Sequence, residues 1–107
     1  MREEDVIVSM QIISSAGEAR SLAVLAVDEA KNGNIEKARE ILAQSKEAMH
    51  EAHAAQTQLI TQEMSGDPVA INVLLIHSQD HLMTTMAYHQ SAENTIDLWE
   101  VVHSLKK

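Results

Sequence analysis

Two histidines and a carboxylate lie close together in the last third of the sequence, within the segment Asn72–Thr85. His77, Asp80, His81 and Thr84 follow the spacing i, i+3, i+4, i+7, which places all four on one face of an α-helix. Apolar residues fill most other positions of this segment, so polar groups there carry a desolvation cost unless they are paired, bound or functional. This cluster is the strongest indication of chemistry in the chain.

Three kinds of role are compatible with these residues. The first is purely structural: the histidines pack and form hydrogen bonds inside a helical interaction module that carries out no chemistry. A second is metal binding, because His77 and His81 have the i, i+4 spacing of a chelating pair and Asp80 lies beside them. A third is nucleophilic, because a neutral imidazole can attack an electrophile such as phosphorus. The chain has no cysteine, which removes thiolate metal sites and thiol nucleophiles.

Length and charge narrow the class of protein. With 107 residues the chain is predicted to be one domain, residues 1–107. Its net charge of −8 argues against a nucleic-acid partner and against docking on an anionic membrane. No apolar run, Val73–Ile76 included, is long enough to span a bilayer, and the acidic start of the chain does not resemble a secretory signal. We therefore expect a cytoplasmic protein without membrane insertion.

Two short breaks divide the chain into three long helical segments. The first break contains Gly33, which suits the left-handed end of a helix, and Asn34, which suits the N-cap of the next. The second contains Asp67, a good N-cap, and Pro68, which fits the first helical position. The predicted helices begin near residue 3 and then span about 35–64 and about 69–105. Because both connections are short, neighbouring helices should be antiparallel, which predicts an all-α three-helix bundle.

The apolar stripes of these helices are rich in small residues. Gly17, in the middle of the first helix, is interpreted as a point of close helix packing. The first stripe is predicted to contain Val6, Met10, Ile13, Ala16, Ala19, Ala23, Ala26 and Ala30, and to be widened by Ile12, Leu22 and Leu25. The second follows a coiled-coil period through Ile35, Ala38, Leu42, Ser45, Met49, Ala52, Gln56 and Leu59. The sequence has no phenylalanine, so a single chain buries little apolar area, and we expect it to self-associate.

Three motifs resemble one protein family. The segment His77–Thr84 looks like the signature of the lactose/cellobiose-type enzyme IIA of the bacterial phosphoenolpyruvate-dependent sugar phosphotransferase system, with Ser78 where the family usually has alanine. Residues Ser15–Ser21 resemble its first-helix motif, and residues Glu51–Ile60 resemble its second-helix motif. The resemblance covers nearly the whole chain and keeps the three motifs in order.

This resemblance implies a phosphoryl carrier for the uptake of a β-linked disaccharide. His77 matches the histidine that accepts a phosphoryl group from the phosphocarrier protein HPr and passes it to the cysteine of enzyme IIB. Gln79 and His81 belong to the same motif and are expected to support it. Asp80 matches an aspartate that meets its symmetry mates around a divalent metal, expected to be magnesium, at the axis of a homotrimer. The implied assembly is a nine-helix bundle.

Overall fold

The structure is a computed structural model that describes residues 2–106 of the chain. It contains three α-helices and, within those residues, no β-strand: α1 (Glu3–Lys31), α2 (Ile35–Met64) and α3 (Val73–Ser104). The bundle measures 59 × 19 × 19 Å. Among residues 2–106, no helix is both long enough and apolar enough to cross a bilayer. The predicted all-α three-helix architecture is confirmed.

Side-chain hydrogen bonds between the helices show their relative directions. Ser45 on α2 donates to the carbonyl of Ala19 on α1 at 2.6 Å, and Gln62 near the end of α2 reaches Asp5 near the start of α1. The later residue on α2, Gln62, thus contacts the earlier residue on α1, Asp5, so α1 and α2 are antiparallel. On α3, Thr84 and His103 contact successively later residues of α1, so α3 runs parallel to α1 and antiparallel to α2.

Glycines in the left-handed conformation end the first two helices. Gly33 has a φ of 93° and Gly66 a φ of 88°, as the sequence predicts for Gly33. The amide of Asn34 donates to the carbonyl of Glu29 at 2.9 Å, which satisfies one of the last free carbonyls of α1. Asn34 occupies the N-cap position of α2, but its side chain donates to the carboxylate of Glu29 and does not accept from α2.

The predicted start of α3 is wrong by four residues. The helix begins at Val73, and its N-cap is Asn72, whose side-chain oxygen accepts from the amide of Leu75 at 2.9 Å. The carboxylate of Asp67, predicted to be the cap, instead accepts two hydrogen bonds from Arg2, at 2.9 and 2.8 Å. Val69 is only 8% exposed, so its side chain anchors the non-helical segment 67–72 to the core before the helix can begin.

The centre of the bundle is lined by the alanines of α1. Ala16, Ala19, Ala23, Ala26 and Ala30 are all fully buried, as predicted. The prediction of a buried Met10 is wrong, because its side chain is 51% exposed, and so is that of a buried Leu25, which is 53% exposed. The predicted Ile12 is fully buried, together with Asp5 and Ser9, which were not predicted. Asp5 can be buried because its carboxylate accepts from Arg2 and Gln62.

The buried apolar residues form two clusters, one toward each end of the bundle. The first lies beneath the start of α3 and consists of Ile12, Ala16, Ala52, Ala55, Leu59, Val69 and Leu82. The second lies toward the end of α3 and consists of Ala23, Ala26, Ala30, Ala38, Leu42, Ala92 and Ile96. The predicted α2 seam is confirmed in its buried members and is widened by Ala48 and Ala55.

Candidate functional site

The His77–Thr84 face of α3 lies at the surface. The buried side chains of Ser78 and Leu82 fix the rotation of the helix, and this leaves His77 exposed and His81 half-buried. The two imidazole rings stack, with their centroids 5.8 Å apart and their planes inclined by 9°. The desolvation expected for the polar face therefore falls mainly on His81, whereas the fully buried polar residues of α3 are Ser78 and Thr85.

His81 lies between His77 and helix α1. A Cβ added at Gly17 would lie 3.5 Å from Nε2 of His81, which is ordinary van der Waals contact, so Gly17 packs against a side chain and not against a backbone. Burial lowers the pKa of His81, and the charges of Arg20 and His77 lower it further, while Asp80 opposes the shift. At neutral pH His81 is consequently a neutral imidazole with one donor and one acceptor nitrogen.

Arg20 joins α1 to the last turn of this face. Its Nη2 donates to Oγ1 of Thr84 at 2.7 Å, and the Thr84 hydroxyl lies 3.0 and 3.2 Å from the carbonyls of Asp80 and His81. The guanidinium is therefore bound to the turn that carries His81. Its Nε is buried and has no hydrogen-bond partner among residues 2–106.

Gln79 points toward α2. Its side-chain oxygen accepts from Nε2 of Gln56 at 2.7 Å, and its amide group donates to the hydroxyl of Ser78 at 3.2 Å. Ser78 in turn donates to the carbonyl of Leu75 at 2.7 Å. This chain of hydrogen bonds fixes the turn around His77 from the α2 side, as Arg20 fixes it from the α1 side.

Asp80 is exposed and lies in a partly apolar stripe of α3. Its neighbours at helical spacing, Ile76 and Met83, are 58% and 53% exposed. Within the part of the chain that the structure describes, the Asp80 carboxylate forms no hydrogen bond or ion pair. Nor do residues 2–106 bring together three or more His, Asp or Glu side chains in a way that could hold a metal ion. A metal site built by His77, Asp80 and His81 of one chain thus has no support.

An apolar groove adjoins the site on the α2 side. Its volume is about 210 Å³, and it lies between the end of α2, the segment 67–72 and the first turns of α3. Ile60 and Ile71 on its rim are 51% and 81% exposed. The residues that line it are Leu59, Ile60, Glu63, Val69, Ile71, Leu75 and Gln79.

Comparison with known proteins places this geometry in a family. Residues 7–100 match the family described as the lactose/cellobiose-specific IIA subunit of the phosphotransferase system. The chain is 36% identical over 99 residues to the lactose-specific EIIA component of Streptococcus mutans, covering 92% of this chain and 95% of that protein. The chain belongs to the lactose/cellobiose-specific IIA family.

Two solved structures of IIA proteins share the fold. The cellobiose-specific enzyme IIA from Bacillus anthracis superimposes with a TM-score of 0.93 at 39% identity, covering 97% of this chain and 95% of that one. The chitobiose-specific IIA of Escherichia coli, determined in complex with HPr, gives a TM-score of 0.82 at 36% identity, with coverage of 95% and 99%. The chain is thus a component of the sugar phosphotransferase system, which argues against an interaction module without chemistry.

Two residues of the site are missed by sequence reasoning. In the sequence, Arg20 stands out only as part of the Ser15–Ser21 family motif, and Gln56 only as a member of the predicted α2 seam. The seam gives a signal for Gln56, because a half-buried amide needs a partner and Gln79 is available on the next helix. For Arg20 the signal is its place one turn after Gly17, which puts both residues on the same face of α1.

Proposed function

We propose that the chain is a phosphoryl carrier in which His77 accepts a phosphoryl group from HPr and passes it to the cysteine of enzyme IIB. The observation that carries the proposal is the exposed His77 ring, stacked on a half-buried neutral imidazole. A nucleophile that serves two protein partners in turn must be accessible to both. Relatives of the chain are specific for lactose and for cellobiose, which supports uptake of a β-linked disaccharide as the process served.

The transfer at His77 needs little covalent chemistry from the protein. The lone pair of an unprotonated ring nitrogen attacks phosphorus in line as the bond from phosphorus to the donor breaks. The other ring nitrogen of His77 gives up its proton, and the leaving group of the donor gains one. In the second step the thiolate of enzyme IIB attacks the same phosphorus, and the imidazole of His77 leaves and is reprotonated. The stacked His81 restricts the orientation of the acceptor ring in both steps.

The groove beside Gln79 supports a protein partner at this site. Its apolar floor and exposed Ile60 and Ile71 are typical of a small, transient interface. The E. coli chitobiose relative forms a complex with HPr, and we propose the same donor for this chain. Gln79 would support transfer by keeping the His77 turn rigid through Gln56, and His81 would support it by stacking.

Incubation with phosphoenolpyruvate, enzyme I and HPr tests the proposal. The wild-type chain should gain one acid-labile, base-stable phosphate, and His77→Gln should gain none while keeping its helicity. His81→Gln should slow labelling without abolishing it, because it leaves the acceptor in place. Label that persists in His77→Gln and disappears in His81→Gln would reverse the two assignments.

We propose further that the working form is a homotrimer of nine helices. The support is the set of large apolar side chains exposed on α3 at helical spacing, which form one group on either side of Asp80 and a second group near the end of the helix. Sedimentation equilibrium at micromolar concentration should give about three times the chain mass of 11.8 kDa. A purely monomeric protein would contradict the trimer. The members of the two groups are Val73, Ile76, Met83, Leu98, Val101 and Leu105.

In that trimer Asp80 would hold a divalent metal, expected to be magnesium. At this position one chain offers only the exposed Asp80 carboxylate, which has no hydrogen-bond or ion-pair partner among residues 2–106, so the fit depends on symmetry copies that bring hard oxygen ligands together. The metal would offset the repulsion between carboxylates in an apolar surrounding. In excess chelator, Asp80→Leu should therefore melt at a higher temperature than wild type. A lower melting temperature of the variant would remove the axial metal site.

A further inference from the structure

Arg20 differs from the other two arginines of the chain in its partners. Arg2 forms ion pairs with Asp5 and Asp67, and Arg39 forms ion pairs with Asp97 and Glu100. Arg20 has no carboxylate within ion-pair distance in residues 2–106, although the chain carries a net charge of −8. The Arg20 guanidinium is therefore not neutralised by a carboxylate, although the protein is acidic, and this guanidinium lies at the His77 face of α3.

The contacts of Arg20 connect it to His81. Its Nη2 donates at 2.7 Å to the Thr84 hydroxyl, which in turn donates to the backbone carbonyl of His81 at 3.2 Å. One turn earlier on α1, Gly17 lies beside the edge of the His81 ring. Helix α1 therefore contacts the His81 turn of α3 at two places, next to Gly17 and through Arg20, while the ring of His81 stacks on His77.

We propose that Arg20 is a positioning residue for phosphoryl transfer at His77. Anchored to Thr84, it holds the turn of α3 so that His81 lies flat against His77, and it supplies positive charge beside the place where a dianionic phosphoryl group arrives. This inference rests on the proposed function of His77. A guanidinium suits both tasks because it keeps its charge at all working pH values and has several donors in a fixed plane. The buried Nε leaves one of those donors unused in the unphosphorylated chain.

The test compares Arg20→Gln with Arg39→Gln. Each variant removes one arginine charge, but Arg39 lies at the opposite end of the bundle and takes no part in the site. Single-turnover labelling by phospho-HPr is measured over a range of donor concentrations. Arg20→Gln should lower the maximal rate by up to about 100-fold with little change in the half-saturating concentration of donor, because a misplaced acceptor slows the reaction and not the docking. Arg39→Gln should keep the wild-type rate.

Two further variants separate anchoring from charge. Arg20→Lys keeps the charge but loses the planar fork, so it should recover part of the rate. Thr84→Val keeps Arg20 and removes its anchor, so it should also slow the reaction, and it serves if Arg20→Gln does not fold. Nuclear magnetic resonance of the unphosphorylated proteins supplies a readout that does not depend on activity: ring contacts between His77 and His81 should weaken in Arg20→Gln and persist in Arg39→Gln.

The possible failures are distinguishable. If the wild-type chain takes no label at His77, the proposed function is lost, and the role of Arg20 with it. If His77 is labelled but Arg20→Gln matches Arg39→Gln in rate and in ring contacts, only the role of Arg20 is overturned. A change confined to the half-saturating concentration of donor would likewise overturn it, because that result makes Arg20 a docking residue.

Discussion

The two ends of α3 carry the same arrangement of rings. His77 stacks on His81 at one end and Trp99 stacks on His103 at the other, both at i, i+4 spacing, with centroid distances of 5.8 and 5.5 Å and interplanar angles of 9° and 22°. In each pair the second member is a half-buried histidine turned toward α1. Spacing and stacking alone therefore do not distinguish a site from a structural contact.

The surroundings of the two pairs make the difference. Nε2 of His103 lies 2.9 Å from the carbonyl of Ala30, near the end of α1, and Trp99 packs against an apolar cluster. The nearby Arg39 is neutralised by two carboxylates. At the other end His77 is open to solvent, and Arg20 has no carboxylate partner within residues 2–106. A ring pair becomes structural where its polar atoms and neighbouring charges are satisfied, and available for chemistry where they are not.

Exchanging the first ring of each pair for alanine should separate stability from transfer. Trp99→Ala removes a large, partly buried side chain and should lower the free energy of unfolding by about 3 kcal/mol, while labelling of the folded fraction continues. His77→Ala removes an exposed side chain, so its stability should stay within about 0.5 kcal/mol of wild type while labelling is lost.

Urea unfolding and the labelling assay, applied to both variants, check this separation. Each variant is the control for the other, because the two substitutions remove rings from the same helix. A His77→Ala protein destabilised as much as Trp99→Ala would show that the exposed pair is structural too, and the contrast between the two ends would disappear.

Replacing the second ring of the structural pair should have a smaller effect. His103→Phe keeps a ring to stack on Trp99 but loses the hydrogen bond with the Ala30 carbonyl, which should cost about 1 kcal/mol. The carbonyl keeps the amide of Gly33 as a partner at 3.0 Å, so the loss is not larger. For a chain of this size the melting temperature should fall by about 4–8 °C. His103→Phe should take up label from phospho-HPr at the wild-type rate. Slower labelling would show that the two ends of α3 are coupled.

Periodicity and breakers predict most of the fold. The alanine stripe of α1 and the seam of α2 repeat over many turns, so each further residue strengthens the same prediction. The start of α3 is different because it depends on a single competition between two caps. Asp67 has the right side chain for a cap, but Arg2, distant in sequence, binds its carboxylate, and Val69 is held in the core. Local propensity does not contain those long-range contacts.

The site is predicted less completely than the fold. Helical spacing correctly places His77 and His81 on one face, because i and i+4 residues are neighbours on any helix. It gives no information on which ring is covered by α1 or on where Gln79 finds its partner. The sequence also does not show that Arg20 lacks a carboxylate partner within residues 2–106, because this depends on which carboxylates the three arginines contact in three dimensions.

The smallest expected effect concerns the response of stability to pH. Burial, followed by the charges of Arg20 and His77, lowers the pKa of His81 in the folded chain, with Asp80 acting in the opposite sense. The unfolded chain, with a pKa of about 6.5, then binds more protons between the two values, so His81 makes the folded state less stable as pH falls below about 6.5. Its contribution cannot exceed about 1.4 kcal/mol per pH unit.

Urea unfolding of wild type and His81→Gln in chelator, from pH 8 downward, should show wild type losing stability relative to the variant only on the acid side. If wild type instead becomes more stable than the variant as the pH falls, the pKa of His81 is raised by folding and not lowered. That result would remove the electrostatic part of the contrast between the two ends of α3.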